Sequence, residues 1–185
     1  MNTNLISKKY NFNAKQILCV NEIINNCALL NVTKKEHIAY ILATTKHETG
    51  NTFLPIKEVG SSQYFIRKYF LNSKVAKWLG NVTPQDAAKY CGRGYVQITG
   101  KAMYQKISKL LNVDLVSTPD LALDPSLSSK IAIIGMRDGL FTGVNLSKYD
   151  NADGSFNSVQ ARKIINSLDD AALISSYYND IISLI

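Results

Sequence analysis

The chain has 185 residues, 46% of them apolar, enough for one domain with a real core. Its net charge of +7 points to an anionic partner, but the basic residues are scattered, with only the pairs Lys8-Lys9, Lys34-Lys35 and Arg67-Lys68, which excludes a nucleic-acid-binding arm. No apolar run approaches membrane-spanning length, which excludes stable membrane insertion, and the start from Met1 to Lys9 lacks the basic-then-apolar order of a signal peptide.

The first predicted helix starts after Asn13 and runs to about Leu30, with Ile17, Val20, Ile24, Cys27 and Ala28 on one face. Thr33-Lys34-Lys35-Glu36 has the form of a capping box. The next helix therefore starts there, turns Ile38, Ile41, Leu42 and Thr45 inward, and ends near Gly50. From Asn51 to Asn81 the pattern breaks into turns and a short aromatic run (Tyr64-Phe65, Tyr69-Phe70), read as an irregular lobe with a small hairpin. Thr83-Pro84-Gln85-Asp86 opens a short helix, with proline at N1 and a carboxylate at N3, and Gly92-Arg93-Gly94 interrupts it. Tyr95 to Thr99 alternates with period two and reads as a strand or extended segment. A helix at 101–111 turns Met103, Ile107, Leu110 and Leu111 inward, and a strongly apolar one runs from Ser126 to Gly139. Loops lie around Pro119 and Pro125 and from Gly143 to Gly154, and two more helices follow at about 156–166 and 169–184. The pattern is mainly α: one catalytic domain over 1–185, with a small irregular or β-containing lobe over about 51–100.

Cys19 and Cys27 share the first helix, where eight residues span about 12 Å at 1.5 Å each, too far for a disulfide. Buried free thiols are expected for both and for Cys91, which fits a reducing site of synthesis. Ten tyrosines and one tryptophan suit a polar, ring-stacking ligand such as sugar, although tyrosine also fills cores.

Two glutamates carry the chemistry. Glu48 closes the helical run that ends His47-Glu48-Thr49-Gly50, and a carboxyl at the buried end of a helix tends to keep its proton. Negative charge there also opposes the helix dipole, so the placement hints at function. Glu58 follows a turn at Pro55, on a loop where a carboxylate stays ionised. An acid and a base set apart in this way hydrolyse glycosidic bonds. Glu58 alone reads as a surface carboxylate, and its case rests on the pairing.

Other constellations give way to plainer readings. His47-Glu48 invites a zinc-protease reading, but Asn51 stands where the second histidine would be, so no metal site is expected. Gly92 to Gly100 lacks the lysine and the strand–loop–helix order of a phosphate loop. Its glycines suggest backbone passing close to a ligand, with Gln97 and Thr99 on one side of a cleft wall. A β-bridge with solvent-facing polar groups accounts for them equally well. Cys91 has no histidine nearby in sequence and reads as structural. Asp150 to Gly154 lacks the closing glutamate of a calcium loop and reads as Asx-turn chemistry.

Five segments resemble glycoside hydrolase family 19, in its chitinase-like branch of phage endolysins and bacterial cell-wall lysozymes. They are AYILATTKHETGNTFLPIKEVG (39–60), KYCGRGYVQITGKAMY (89–104), VSTPDLALDPSLSSKIAI (116–133), GLFTGVNLSKY (139–149) and ARKIINSLDDA (161–171). The resemblance implies a lysozyme-like α fold with a small lobe forming a substrate cleft, and single-displacement hydrolysis of β-1,4 links beside N-acetylated hexosamines. Glu48 would be the general acid and Glu58 the base that activates water. Thr99 would orient that water, and Gln97, Asn166, Arg162 and Tyr95 would meet substrate. No metal or organic cofactor is implied. The segment 61–82 departs from the family, with aromatics and lysines where close relatives carry a glycine-rich run.

Small size, basic charge, free thiols and the missing signal peptide favour peptidoglycan as the partner, cut by a monomer. It would be made in the bacterial cytoplasm and act on the wall after release or export. A chitinase, or a non-catalytic glycan-binding module on the same fold, is the alternative.

Overall fold

The computed structural model describes residues 3–185. Met1 and Asn2, part of the segment on which the leader reading rests, lie outside the described residues. The chain forms two compact units: the chain up to Leu54 joined by Ser129–Ile185, and Pro55–Ser128. The second unit continues well beyond position 100, where the small lobe was expected to end.

The first unit opens with a helix that the hydrophobic pattern did not reveal, α1 (Thr3–Lys9), fixed by the fully buried Ile6. Helix α2 (Ala14–Leu29) starts at Asn13, whose side chain accepts from Gln16 N–H at 3.0 Å while Gln16 Oε1 accepts from Asn13 N–H at 3.0 Å. Its buried face is Cys19, Val20, Ile23, Asn26 and Cys27, rotated from the expected stripe so that Ala28 is exposed.

Helix α3 (Lys35–Glu48) has no side-chain cap; Lys34 holds the cap position and Thr33 lies one residue too early to close the expected box. Lys34 instead reaches Asp150 at 2.8 Å. Every residue from Ile38 to Lys46 is buried, so α3 is a central helix rather than a one-faced surface helix. It packs against α9 (Ala171–Ile182). Of the two predicted C-terminal helices the second is therefore α9, whereas the first shrinks to a 3-10 turn at Gln160–Ile164. Helix α8 (Pro125–Asp138) follows the capping oxygen of Asp124, which accepts from Leu127 N–H at 2.8 Å, and buries the whole run Ile131–Met136.

In the second unit the segment expected to be irregular holds two helices. Helix α4 (Ser62–Tyr69) is capped by Ser61, and α5 (Ser73–Leu79) by Asn72. Helix α6 (Pro84–Lys89) has the predicted box, with Thr83 and Asp86 satisfying each other's backbone N–H groups. The strands β1 (Ile56–Lys57) and β2 (Arg93–Gly94) pair antiparallel, Ile56 opposite Gly94 and Lys57 opposite Arg93. Tyr95 to Thr99 is not extended. Gln97 adopts φ +51°, the chain turns back, and Ile98 bridges Arg93. Helix α7 (Lys101–Leu111) has the expected bounds, but it buries Tyr104 and Ile107 and leaves Leu110 exposed.

Cys19, Cys27 and Cys91 are buried free thiols, and burial pushes Cys27 up to about 12. Among the described residues no helix is long and apolar enough to cross a membrane.

Candidate active site

In the first unit, Glu48 is the last residue of α3 and its side chain is 17% exposed. The run of buried residues before it fixes the helix, so the carboxyl projects from a rigid element. It does not sit alone in an apolar pocket, as a desolvated helix end would. Arg162 Nη1 donates to Glu48 Oε1 at 2.5 Å, and Arg162 Nε donates to Asp169 O at 3.0 Å. The guanidinium thus spans two acceptors from one fixed plane. Glu48 Oε2 accepts no hydrogen bond among the described residues. Asn166 is exposed, and its N–H donates to Arg162 O at 3.0 Å. Glu48 and Arg162, far apart in sequence, are therefore brought together, and Asn166 follows Arg162 by one turn. His47 lies 3.6 Å from Asp170, at the start of α9.

In the second unit, Glu58 follows β1, and its N–H donates to Gly92 O at 2.9 Å. Its side chain is 16% exposed, more enclosed than a surface-loop carboxylate. Oε1 accepts from Lys68 Nζ at 2.8 Å, with Tyr64 OH at 3.5 Å; Oε2 accepts from Tyr69 OH at 2.8 Å and Gly92 N–H at 3.1 Å. Burial alone would raise this carboxyl, but the bonds from Lys68, Tyr69 and Gly92 outweigh it and hold Glu58 below the usual glutamate range. The anionic state expected of Glu58 is thus favoured, by donors rather than by open solvent.

Gln97 Nε2 donates to Ile56 O and Gly94 O, each at 2.9 Å, and so ties β1 to β2. A Cβ on Gly92 would meet Gln97 Oε1 at 2.7 Å and Glu58 Oε2 at 3.3 Å, which explains the first glycine of the motif. Thr99 Oγ1 donates to Gln97 O at 2.9 Å. Glu58, Gln97 and Thr99 thus belong to one framework. Tyr95 does not share their surface: it is fully buried, and its N–H donates to Ser128 Oγ at 2.8 Å, so a side-chain contact with a polymer does not fit it.

Arg93 holds the motif from within: 3% exposed, it donates through Nε to Asp120 Oδ1 at 2.6 Å and through Nη1 to Lys89 O, Cys91 O and Tyr104 OH. Sequence reasoning missed Arg93, Lys68 and Tyr69. The signal for the last two was the aromatic and basic run Tyr64 to Phe70, legible only once α4 places Tyr64 and Lys68 one turn apart. No group of three or more His, Cys, Asp or Glu among the described residues could hold a metal ion.

The model of glycoside hydrolase family 19, described as chitinase class I, matches residues 8–139. The acidic endochitinase of Petunia hybrida is 34% identical over 102 residues, 54% of this chain and 35% of its own length. Endochitinase 1 of Theobroma cacao is 31% identical over 103 residues, 54% of this chain and 32% of its own length. The chain thus spans about a third of the length of these curated relatives. The crystal structure of a bacterial family 19 chitinase superposes with a TM-score of 0.60 at 20% identity, covering 81% of this chain and 74% of that one, a likeness of fold.

Proposed function

This chain belongs to glycoside hydrolase family 19, and from that premise we propose that it hydrolyses β-1,4 links between N-acetylated hexosamines by a single displacement. Glu48 gives its proton to the glycosidic oxygen as the bond from that oxygen to the anomeric carbon breaks. Glu58 takes a proton from the water that bonds to the anomeric carbon, with inversion. Both carboxyls return to their starting states by exchange with solvent. The observation that carries this reading is the fixed placement of Glu48: one oxygen is held by the buried Arg162, and the other accepts no hydrogen bond among the described residues. Gln97 and Thr99 shape the backbone around Glu58, and Asn166 is exposed one turn beyond Arg162.

The relatives are named as chitinases, which supports a polymer of N-acetylglucosamine as substrate ahead of peptidoglycan. The net charge of +7 supports peptidoglycan as the second reading, because an anionic wall attracts a basic protein. That reading goes with a phage-type lysin made in the bacterial cytoplasm and released onto the wall. Mass spectrometry after parallel digestion of chitin oligosaccharides and purified peptidoglycan separates the two. New reducing ends at N-acetylglucosamine from the chitin oligomers are expected. Cleavage of peptidoglycan alone would move the substrate to the second reading. Glycan binding without new reducing ends from either polymer, or freed peptide amines, would overturn the hydrolase reading.

A further inference from the structure

Helix α4 contacts Glu58 at three points. Lys68 Nζ lies 2.8 Å from Oε1 and Tyr69 OH 2.8 Å from Oε2, on opposite oxygens, while Tyr64 OH stands 3.5 Å from Oε1. Lys68 also donates to Tyr64 OH at 3.1 Å. Tyr69 is fixed in turn: its ring stacks on Phe65 with 6° between planes, and its carbonyl accepts from Asn81 Nδ2 at 3.1 Å. A carboxylate offers about four lone-pair sites. Three are filled by bonds of 3.1 Å or less, from Lys68, Tyr69 and Gly92. The fourth, on Oε1, faces only the long Tyr64 contact. Oε1 is also the exposed edge, since Lys68 is 45% exposed and Tyr64 37% exposed, whereas Oε2 is anchored by a half-buried phenol and a backbone N–H.

We infer that Lys68 and Tyr69 are positioning residues for Glu58: they clamp the carboxylate so that Oε1 alone receives the attacking water, and they lower its basicity so that the enzyme works at more acidic pH. The inference rests on Glu58 being the base. The direction agrees with the depressed Glu58 carboxyl, where burial acts against the bonds and the bonds prevail. Tyr69 is pushed up to about 12, chiefly by burial, so its phenol remains a donor throughout the working range. The other groups facing Glu58 leave this direction intact. Cys91 is buried and its thiol pushed up, so it stays neutral, and Lys57 is engaged with Asp120 at 3.1 Å.

The test compares wild type with Lys68→Met, Lys68→Arg and Tyr69→Phe. It reads the pH profile of kcat/KM on a soluble chitin oligosaccharide, together with the NMR titration of the Glu58 carboxyl carbon in each variant. Removing a cation that favours the ionised base raises its pKa, so the acid limb of Lys68→Met moves to higher pH. A move of one unit is about a tenfold further loss of kcat/KM on that limb, relative to the same variant at neutral pH. Tyr69→Phe moves the limb the same way, Lys68→Arg restores it, and the Glu58 titration moves with the limb in each case. A merely structural role would lower the melting temperature and leave limb and titration where they were, and that result would overturn the inference. Because the titration reads Glu58 directly, the two failures separate. Full turnover by Glu58→Gln sinks the base assignment, whereas an unmoved Glu58 titration in Lys68→Met sinks the clamp with the base assignment intact.

Discussion

Arg162, only 4% exposed, donates to Glu48 Oε1 at 2.5 Å and anchors its other edge on Asp169 O at 3.0 Å. The pair joins residues 114 apart in the chain and fixes the carboxyl at the end of α3 to the turn before α9. A buried pair of this kind is weak evidence for net stability, but breaking it is costly, because the remaining charge is left without its partner.

Arg162→Ala should therefore lower unfolding free energy by about 3 kcal/mol, read by urea denaturation at neutral pH. Arg162→Lys should recover part of that loss but not turnover, since a single ammonium cannot hold both acceptors in one plane. Wild-type stability in Arg162→Ala would mean that the pair exists without holding the turn.

The box at the start of α6 gives a pH-dependent test. Asp86 accepts from Val82 N–H at 2.9 Å and Thr83 N–H at 3.0 Å, with Lys101 at 3.2 Å. Burial would raise this carboxyl, but the two backbone bonds and Lys101 prevail and hold it below its ordinary value of 3.8. A carboxyl depressed in the folded state stabilises fully above its unfolded value and loses that contribution as pH falls through the folded one. Asp86→Ala should cost about 1–2 kcal/mol at neutral pH, and the gap to wild type should narrow below about pH 3. Urea melts at the two pH values read both arms. A gap that stays constant would show that the effect comes from packing rather than from charge.

Gly100 and Gly143 both have positive φ, at +88° and +81°, but only one is crowded. A Cβ on Gly100 would meet Leu79 Cβ and Leu79 O at 2.7 Å, whereas Gly143 has nothing within 4 Å. Gly143→Ala should cost about 1 kcal/mol from backbone conformation alone. Gly100→Ala should cost about 3 kcal/mol or more, since the clash with α5 adds to the strain. Equal losses of melting temperature would remove the packing explanation for the last glycine of the motif.

Much of the helical framework was legible because its signals were local. Asn13 before α2, Pro84 and Asp86 in α6, and the bounds of α7 follow from caps and periodicity within a few residues. What failed depended on distant partners. Seven- and eight-residue helices such as α1, α4 and α5 carry too few turns for a pattern, and tertiary packing decides them. The alternation from Tyr95 to Thr99 resembled a strand, but Gln97 takes a left-handed conformation, a choice that no period reveals. Thr33 to Glu36 had the letters of a capping box, yet the helix opens at Lys35. For the site, Glu48 was legible from its place at a helix end and its motif, and Arg162 through family resemblance. The Lys68–Glu58 contact was not, because it depends on α4.

The most direct test of the proposed chemistry is turnover of a soluble chitin oligosaccharide by Glu48→Gln beside wild type, with the anomer of the new reducing end followed by NMR. Gln keeps the shape and still accepts from Arg162 but has no proton to give. The wild type should release the inverted anomer, and Glu48→Gln should lose at least about 100-fold in kcat while still folding to a cooperatively melting protein. Turnover by Glu48→Gln at the wild-type rate would contradict the assignment of Glu48 as the acid.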